Sequence, residues 1–159
     1  MLAMSQGYYN TLKFLHVLAA ITWVGSAIYA QVLATKVMGE HDPVHLARTA
    51  KDIGDLGKRL ITPSAIAVLV FGVWIVAASE VWNFTDTWVL LGLLGIAITI
   101  ATGAGFLGPE SERLGKLSAE RDPSDPEIQR RIKRIFTVSR VDLVVLILVV
   151  ADMVFKPGS

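Results

Sequence analysis

The sequence predicts an all-α integral membrane protein, a four-helix bundle with both termini outside and two helical extensions in the cytoplasm. Four apolar segments each approach the roughly 20 residues that a helix needs to cross a bilayer: residues 12–33, 61–78, 88–107 and 138–155. The composition agrees, because 53% of the 159 residues are hydrophobic and the mean hydropathy is +0.54. The net charge of +1 gives no indication of nucleic-acid binding.

The apolar segments are expected to be helices, since backbone polar groups in lipid must be bonded within one element or within a closed barrel. Barrel strands would alternate apolar and polar residues, whereas these runs are continuous. The fourth run is the shortest, because its apolar residues extend only from Val141 to Phe155 and Arg140 precedes them. We expect residues 1–159 to form a single membrane domain.

Basic residues are concentrated in two of the three connections between the apolar segments. The middle connection, ASEVWNFTDT, contains none. The positive-inside rule therefore places the two basic connections in the cytoplasm and both termini outside a bacterial-type inner (plasma) membrane. An aromatic belt is then expected at the outer boundary, formed by Tyr8, Tyr9, Trp82, Phe84 and Trp88.

Two helix starts are predicted within the basic connections. Asp42 and Asp125 are each followed by a proline, and this is the combination of an N-cap and a first helical residue. The second and fourth helices are therefore expected to begin in the cytoplasm, before they enter the bilayer. Gly108 and Pro109 are expected to end the third helix, with a short polar helix after them.

The stretch KFLHVLAAITWVGSAIY, residues 13–29, places His16 inside the first apolar segment. An ionisable residue within a span suggests a functional site, because its burial is costly unless it is paired or bound to a ligand. A neutral imidazole is a frequent ligand of heme iron. The alternative is that His16 hydrogen-bonds to a neighbouring helix and contributes only to packing.

Two charged residues are candidate partners of this site. Asp152 is predicted near the depth of His16, where its carboxylate could orient the imidazole through the second ring nitrogen. Asp152 could instead form an ion pair with Lys156, four residues later on the same helix. Lys13, one turn before His16, could meet a heme propionate or extend to the membrane surface.

The other histidines, His41 and His45, are four residues apart, a spacing that can hold a metal on one helix face. His41 precedes the predicted cap at Asp42, so the two rings need not share a face. They are expected on the other side of the bilayer from His16, on the order of 30 Å away, which disfavours a bis-histidine heme within one subunit. The chain has no cysteine, which excludes disulfides and thiolate metal sites.

Small residues form two stripes in the third segment. Such stripes let helices or a flat cofactor approach closely, and they fit a homodimer or a contact with a membrane-complex partner equally well. One stripe is Gly92, Gly95, Thr99 and Thr102, and the other is Ala97, Ala101 and Gly105.

Particular stretches resemble known membrane families. LHVLAAITWVGS resembles the first helix of the copper-resistance D (CopD) group and of HemJ-type protoporphyrinogen oxidases, and LGKRLITPSAIAVLVFGVWIV resembles the second helix of the latter. The whole chain, including GPESERLGKL and MVFKPG, is similar to a related family of predicted four-helix membrane proteins of unknown function. The resemblance implies a bundle that holds heme b or a porphyrin, with His16 as axial ligand and Trp23 and Gly25 in the same motif.

The resemblance is incomplete in the third helix. HemJ-type proteins carry further histidines there, whereas this third segment has none, which argues against porphyrinogen oxidation. The leading hypothesis is an inner-membrane heme b protein that serves electron transfer or heme handling, with His16 bound to the iron. The alternatives are a non-catalytic membrane scaffold or assembly subunit without a cofactor, and a small transporter of a solute or metal.

Overall fold

The computed structural model describes residues 6–158, which form a bundle of four long antiparallel helices. Their bounds are α1 Gln6–Glu40, α2 Pro43–Ala77, α3 Thr87–Glu120 and α4 Pro126–Phe155. The predicted all-α architecture is confirmed, and α1, α2 and α3 are each long and apolar enough to cross a membrane. The apolar part of α4 contains Arg140, Asp142 and Asp152, and its membrane span at 138–155 stays a prediction.

The two ends of the bundle carry different connections and different charges. The terminal end contains the start of α1, the end of α4 and the connection 78–86, which has no basic residue. The basic end contains the connections 41–42 and 121–125 together with the polar extensions of α2, α3 and α4. The residues of the predicted aromatic belt lie at the terminal end. The position of this end outside the membrane stays a prediction.

The predicted helix starts at the basic end are confirmed. The Asp42 side chain accepts hydrogen bonds from the backbone N–H groups of Val44 and His45, and Asp125 accepts one from Glu127. Each cap is followed by proline, which fits the first helical position because an N–H group there would have no acceptor within the helix. Both helices therefore begin in a polar extension and continue into an apolar segment.

The polar helix expected after Gly108 and Pro109 is present as Gly108–Glu120, but the expected end of α3 before it is wrong, because the helix runs without a break to Glu120. Proline lacks an N–H group, and its ring opposes the carbonyl four residues earlier in an α-helix. The residues Gly103–Leu107 form a π-helical segment in which the Gly108 N–H donates to the Gly103 carbonyl, five residues back. This local change in bonding lets the helix pass the proline without ending.

Helix α2 passes its internal proline in the same way. Its π-helical segment is Gly57–Ile61, and the Thr62 N–H donates to the Gly57 carbonyl just before Pro63. Each π-helical segment therefore begins with a glycine six residues before a proline. Both segments connect an apolar part of the helix to its polar extension.

The buried side chains form three layers along the bundle. At the basic end, all four helices contribute to one cluster of Ala34, Val37, Leu46, Ala50, Leu114, Ile128, Ile132, Ile135 and Phe136. The middle layer also joins all four helices through Trp23, Ala65, Val68, Ile96 and Leu146. The terminal layer is formed by Val76, Trp88 and Val89, with Trp82, Leu93 and Met153 packed against them.

Helices α3 and α4 approach closely where α3 carries glycine. A Cβ atom at Gly95 would overlap Cγ2 of Val149, and one at Gly92 would overlap Cε of Met153. The predicted stripe that contains these glycines is thus a contact within the chain. The residues of the other stripe, Ala97, Ala101 and Gly105, are exposed on the bundle surface.

We expect Gly95→Ala to destabilise the protein. The added methyl group meets the β-branched Val149, whose side chain has little rotamer freedom in a helix, so the helices must separate at a cost of about 1–3 kcal/mol. Thermal unfolding in detergent, followed by circular dichroism, measures the change. Gly105→Ala is the matched control, because nothing lies within 4 Å of a Cβ there. Equal unfolding temperatures for the two variants would contradict the described packing.

Candidate functional site

His16 lies partly buried between α1 and α2. Its Nδ1 atom is 3.0 Å from the backbone carbonyl oxygen of Val68. Because a carbonyl oxygen only accepts, Nδ1 carries the hydrogen and donates it, which leaves Nε2 unprotonated in the neutral ring. No residue among 6–158 forms a hydrogen bond with Nε2. This nitrogen is therefore available as a ligand or an acceptor.

The His16 ring occupies space that Gly72 leaves open. A Cβ atom at Gly72 would lie 3.0 Å from Cε1 and 3.4 Å from Nδ1 of the imidazole. Gly72 is one helical turn after Val68, so the residue that accepts the hydrogen bond and the residue that admits the ring lie on the same face of α2. Sequence reasoning did not identify either residue as a partner of His16, although both lie in the stretch LGKRLITPSAIAVLVFGVWIV that resembles the second helix of HemJ-type proteins.

The remaining residues of the first-helix motif lie in different surroundings. Trp23 is only 5% exposed and lies in the middle layer, where it packs with side chains of the other three helices. Gly25 is exposed, and a Cβ there would have no neighbour within 4 Å. Lys13 is also exposed. The motif therefore contributes one core residue, Trp23, and one polar residue, His16. Gly25 has no close neighbour among residues 6–158 outside its own helix.

Asp152 lies at the contact between α3 and α4, where its Oδ2 would be 3.5 Å from a Cβ at Gly92. Both carboxylate oxygens are buried and have no hydrogen-bond partner among residues 6–158. The Nδ1 atom of His16 is bonded to Val68, so the expected hydrogen bond from that nitrogen to Asp152 is not formed. The carboxylate and the imidazole are thus placed in separate helix contacts.

Lys156, the residue that follows α4, lies against two tryptophans at the terminal end. Its Nζ atom is 4.1 Å from the ring centroid of Trp82 and 5.1 Å from that of Trp88. The two rings are nearly perpendicular, with centroids 5.2 Å apart. Cation–π attraction of this kind stabilises the end of α4 against the start of α3.

His41 and His45 each form a separate local hydrogen bond at the basic end. Nδ1 of His41 is 2.8 Å from the Gly39 carbonyl oxygen, and Nδ1 of His45 is 2.6 Å from Glu40 Oε2. Both histidines are exposed. Among residues 6–158, no group of three or more His, Cys, Asp and Glu side chains has a geometry suited to a metal ion.

A network of ion pairs at the basic end connects α3 to α4. Arg131 binds Glu110 of α3 at 2.6 Å and Glu127 of its own helix at 2.9 Å. Arg121 also binds Glu127, at 3.0 Å. Glu110 lies directly after the apolar part of α3 and is buried although it carries a carboxylate, with only 5% of the residue exposed. Sequence reasoning missed this pair, because no spacing along the chain links a residue of α3 to one on α4.

The hydrogen bonds from Arg131 lower the pKa of Glu127. Hydrogen bonds from the Arg131 guanidinium stabilise the carboxylate form and hold the pKa of Glu127 below its ordinary value of 4.5. Glu127 is part of the polar extension of α4, outside the apolar segment of that helix.

Comparison with known families agrees with the helical pattern. A family model described as a predicted integral membrane protein, DUF2269, matches residues 10–157. The chain belongs to the DUF2269 family. The predicted similarity to a family of integral membrane proteins of unknown function is therefore confirmed, whereas the family match gives no evidence of a relation to CopD or HemJ proteins. No curated protein and no solved structure matches the chain.

For this DUF2269 chain, we expect Gly25→Ala and Gly72→Ala to differ in stability. Alanine in place of a helical glycine contributes up to about 1 kcal/mol in a site with free space, as at Gly25. At Gly72 the new methyl group presses on the His16 ring, and this crowding costs about 1–3 kcal/mol. Thermal unfolding in detergent should rank Gly25→Ala above Gly72→Ala. The reverse order would contradict the position of the imidazole.

The stability of the protein should also depend on pH through Glu127. Because the folded-state pKa is lowered, this stabilisation is complete above the unfolded-state pKa near 4.5 and is lost as the pH falls through the folded-state pKa. Unfolding temperatures measured from about pH 6 to about pH 3 should therefore fall less steeply for Glu127→Gln than for the wild type. Glu120→Gln, at an exposed residue, is the control and should follow the wild type.

Proposed function

We propose that this chain is a membrane protein that binds heme b through Nε2 of His16, for electron transfer or heme handling. The observation that carries the proposal is the hydrogen bond between Nδ1 of His16 and the Val68 carbonyl. Histidines that bind metals commonly donate their other ring N–H to a backbone carbonyl or carboxylate, which fixes the tautomer and the orientation of the ring. The arrangement at His16 has this form.

The residues around His16 fit a single protein ligand to heme iron. The absence of a Cβ at Gly72 gives the imidazole its place, and the bond to Val68 holds the ring without using Nε2. Lys13 is exposed one turn away, where its ammonium could pair with a propionate. When bound, heme would supply one-electron chemistry, and the protein would hold the iron and control its polar surroundings.

The other predicted residues have supporting parts in this proposal. Trp23 fixes the rotation of α1, because its indole fills the middle layer seven residues after His16. Gly25 leaves the surface of α1 open in the same region. Asp152 has two buried oxygens without a described partner and could accept a hydrogen bond from a group bound near the terminal end. Enzymatic oxidation of a porphyrinogen is not part of the proposal.

A second candidate function is supported by the same hydrogen bond. His16 connects α1 to α2 inside an apolar region, and interhelical hydrogen bonds stabilise membrane bundles. A non-catalytic scaffold or assembly subunit would need only this packing role and would carry no cofactor. No contact among residues 6–158 gives corresponding support to a transporter of a solute or metal.

An absorption spectrum distinguishes the two candidates. The protein is purified in detergent and incubated with hemin. Unbound hemin, which itself absorbs in the Soret region, is removed by gel filtration, and spectra are recorded in the oxidised and reduced states. If heme b binds, the wild type should show a Soret band that His16→Ala lacks, and added imidazole should restore the band in that variant. His45→Ala is the matched control, because it removes an exposed histidine at the other end of the bundle and should leave the band unchanged.

The same preparations test the scaffold. Absence of a Soret band in the wild type after hemin addition, together with a lower unfolding temperature for His16→Ala, would support the packing role and reject heme binding. A band of equal height in the wild type and in His16→Ala would reject His16 as the ligand. Circular dichroism of both variants confirms that each has kept its helices.

A further inference from the structure

An open cavity of about 280 Å³ lies at the basic end, between the polar extensions of α3 and α4. It is lined by five charged residues: Glu110, Glu127, Arg130, Arg131 and Arg134. The lining therefore includes three arginines and two glutamates. The cavity lies on the opposite end of the bundle from His16 and has no part in the proposed heme site.

The two carboxylates of the cavity are already neutralised. Arg131 binds both of them, at 2.6 Å from Glu110 and 2.9 Å from Glu127. A second guanidinium approaches each carboxylate from outside the cavity lining, Arg113 at 3.9 Å from Glu110 and Arg121 at 3.0 Å from Glu127. The acidic groups thus add little negative potential to the cavity.

Arg130 and Arg134 provide the remaining positive charge. Both are exposed, and neither forms an ion pair with any residue among 6–158. They are four residues apart on α4 and therefore lie on the same face of the helix. Two exposed arginines in the lining of one cavity are suited to a phosphate group, which guanidinium binds through paired hydrogen bonds.

The position of Arg134 places this cavity at the boundary of the apolar region. Its guanidinium carbon is 4.9 Å from the ring centroid of Phe106, which belongs to the last apolar turns of α3. The face of α4 that begins with the two arginines then continues as exposed apolar residues: Val141, Val144 and Leu148. The two positively charged side chains thus lie next to an apolar surface that is suited to contact with acyl chains.

We propose that the cavity and this face of α4 bind an anionic phospholipid of the surrounding bilayer. Arg130 and Arg134 hold the phosphate, and an acyl chain lies along Val141 and Val144. The distances agree, because the ten residues from Arg134 to Val144 extend about 15 Å along the helix, half of the roughly 30 Å hydrocarbon thickness. A free phosphate would use the arginines but not the apolar face.

Lipid titration of the purified protein, with bound lipids counted by native mass spectrometry, tests the proposal. Phosphatidylglycerol should bind more tightly than phosphatidylcholine with the same acyl chains. The double variant R130Q/R134Q should bind phosphatidylglycerol roughly 30-fold more weakly than the wild type, since each basic residue near an anionic surface contributes a factor of about five. Glutamine keeps the helix propensity of the two positions.

The matched control is K51Q/K116Q, which removes two exposed charges from the same end but outside the cavity. It should bind phosphatidylglycerol like the wild type, and circular dichroism should show equal helix content in all three proteins. Equal binding of the two lipids, or equal loss of affinity in both double variants, would overturn the proposal. Inorganic phosphate and glycerol phosphate form the last arm, and affinity equal to that of the lipid would identify a free-phosphate site instead.

Discussion

The fold depends on close approach of helix backbones inside an apolar region. Lipid provides no hydrophobic drive for two apolar helices to associate, so side-chain packing and interhelical hydrogen bonds must hold them together. The α3–α4 pair meets this need with Gly92 and Gly95, which bring Met153 and Val149 onto the α3 backbone. The α1–α2 pair meets it with Gly72, which admits a polar ring. Trp23 then joins the two pairs in the middle layer.

The two helix pairs place their polar groups differently. At the first pair, the His16 hydrogen bond to Val68 uses one ring nitrogen and leaves the other available. At the second pair, Asp152 keeps both oxygens buried without a described partner. At the basic end the charged groups are paired, because Arg131 of α4 binds both Glu110 of α3 and Glu127 of its own helix. Polar groups inside this bundle are thus either held in orientation, left unpaired or neutralised.

Features that depend on adjacent residues could be predicted from the sequence. The caps at Asp42 and Asp125 follow from a carboxylate beside its own helix start, and the apolar runs follow from bilayer thickness. Features that depend on the rotation of one helix against another could not. The partner of His16 is 52 residues away, and the partner of Arg131 on α3 is 21 residues away. Helical periodicity shows which residues share a face, but not which face meets another helix.

Proline at position 109 misled the sequence interpretation for a physical reason that has a wider consequence. The helix passes Pro109 through the wider π-helical turn of Gly103–Leu107. The number of residues in this turn also determines which way the polar extension faces relative to the apolar part of the helix. Each residue of an α-helix corresponds to about 100° of rotation about the helix axis. Loss of a single residue from this turn would rotate Glu110 away from Arg131 by roughly that angle. The wider turn therefore keeps Glu110 facing Arg131 while the apolar part of α3 remains packed against α4.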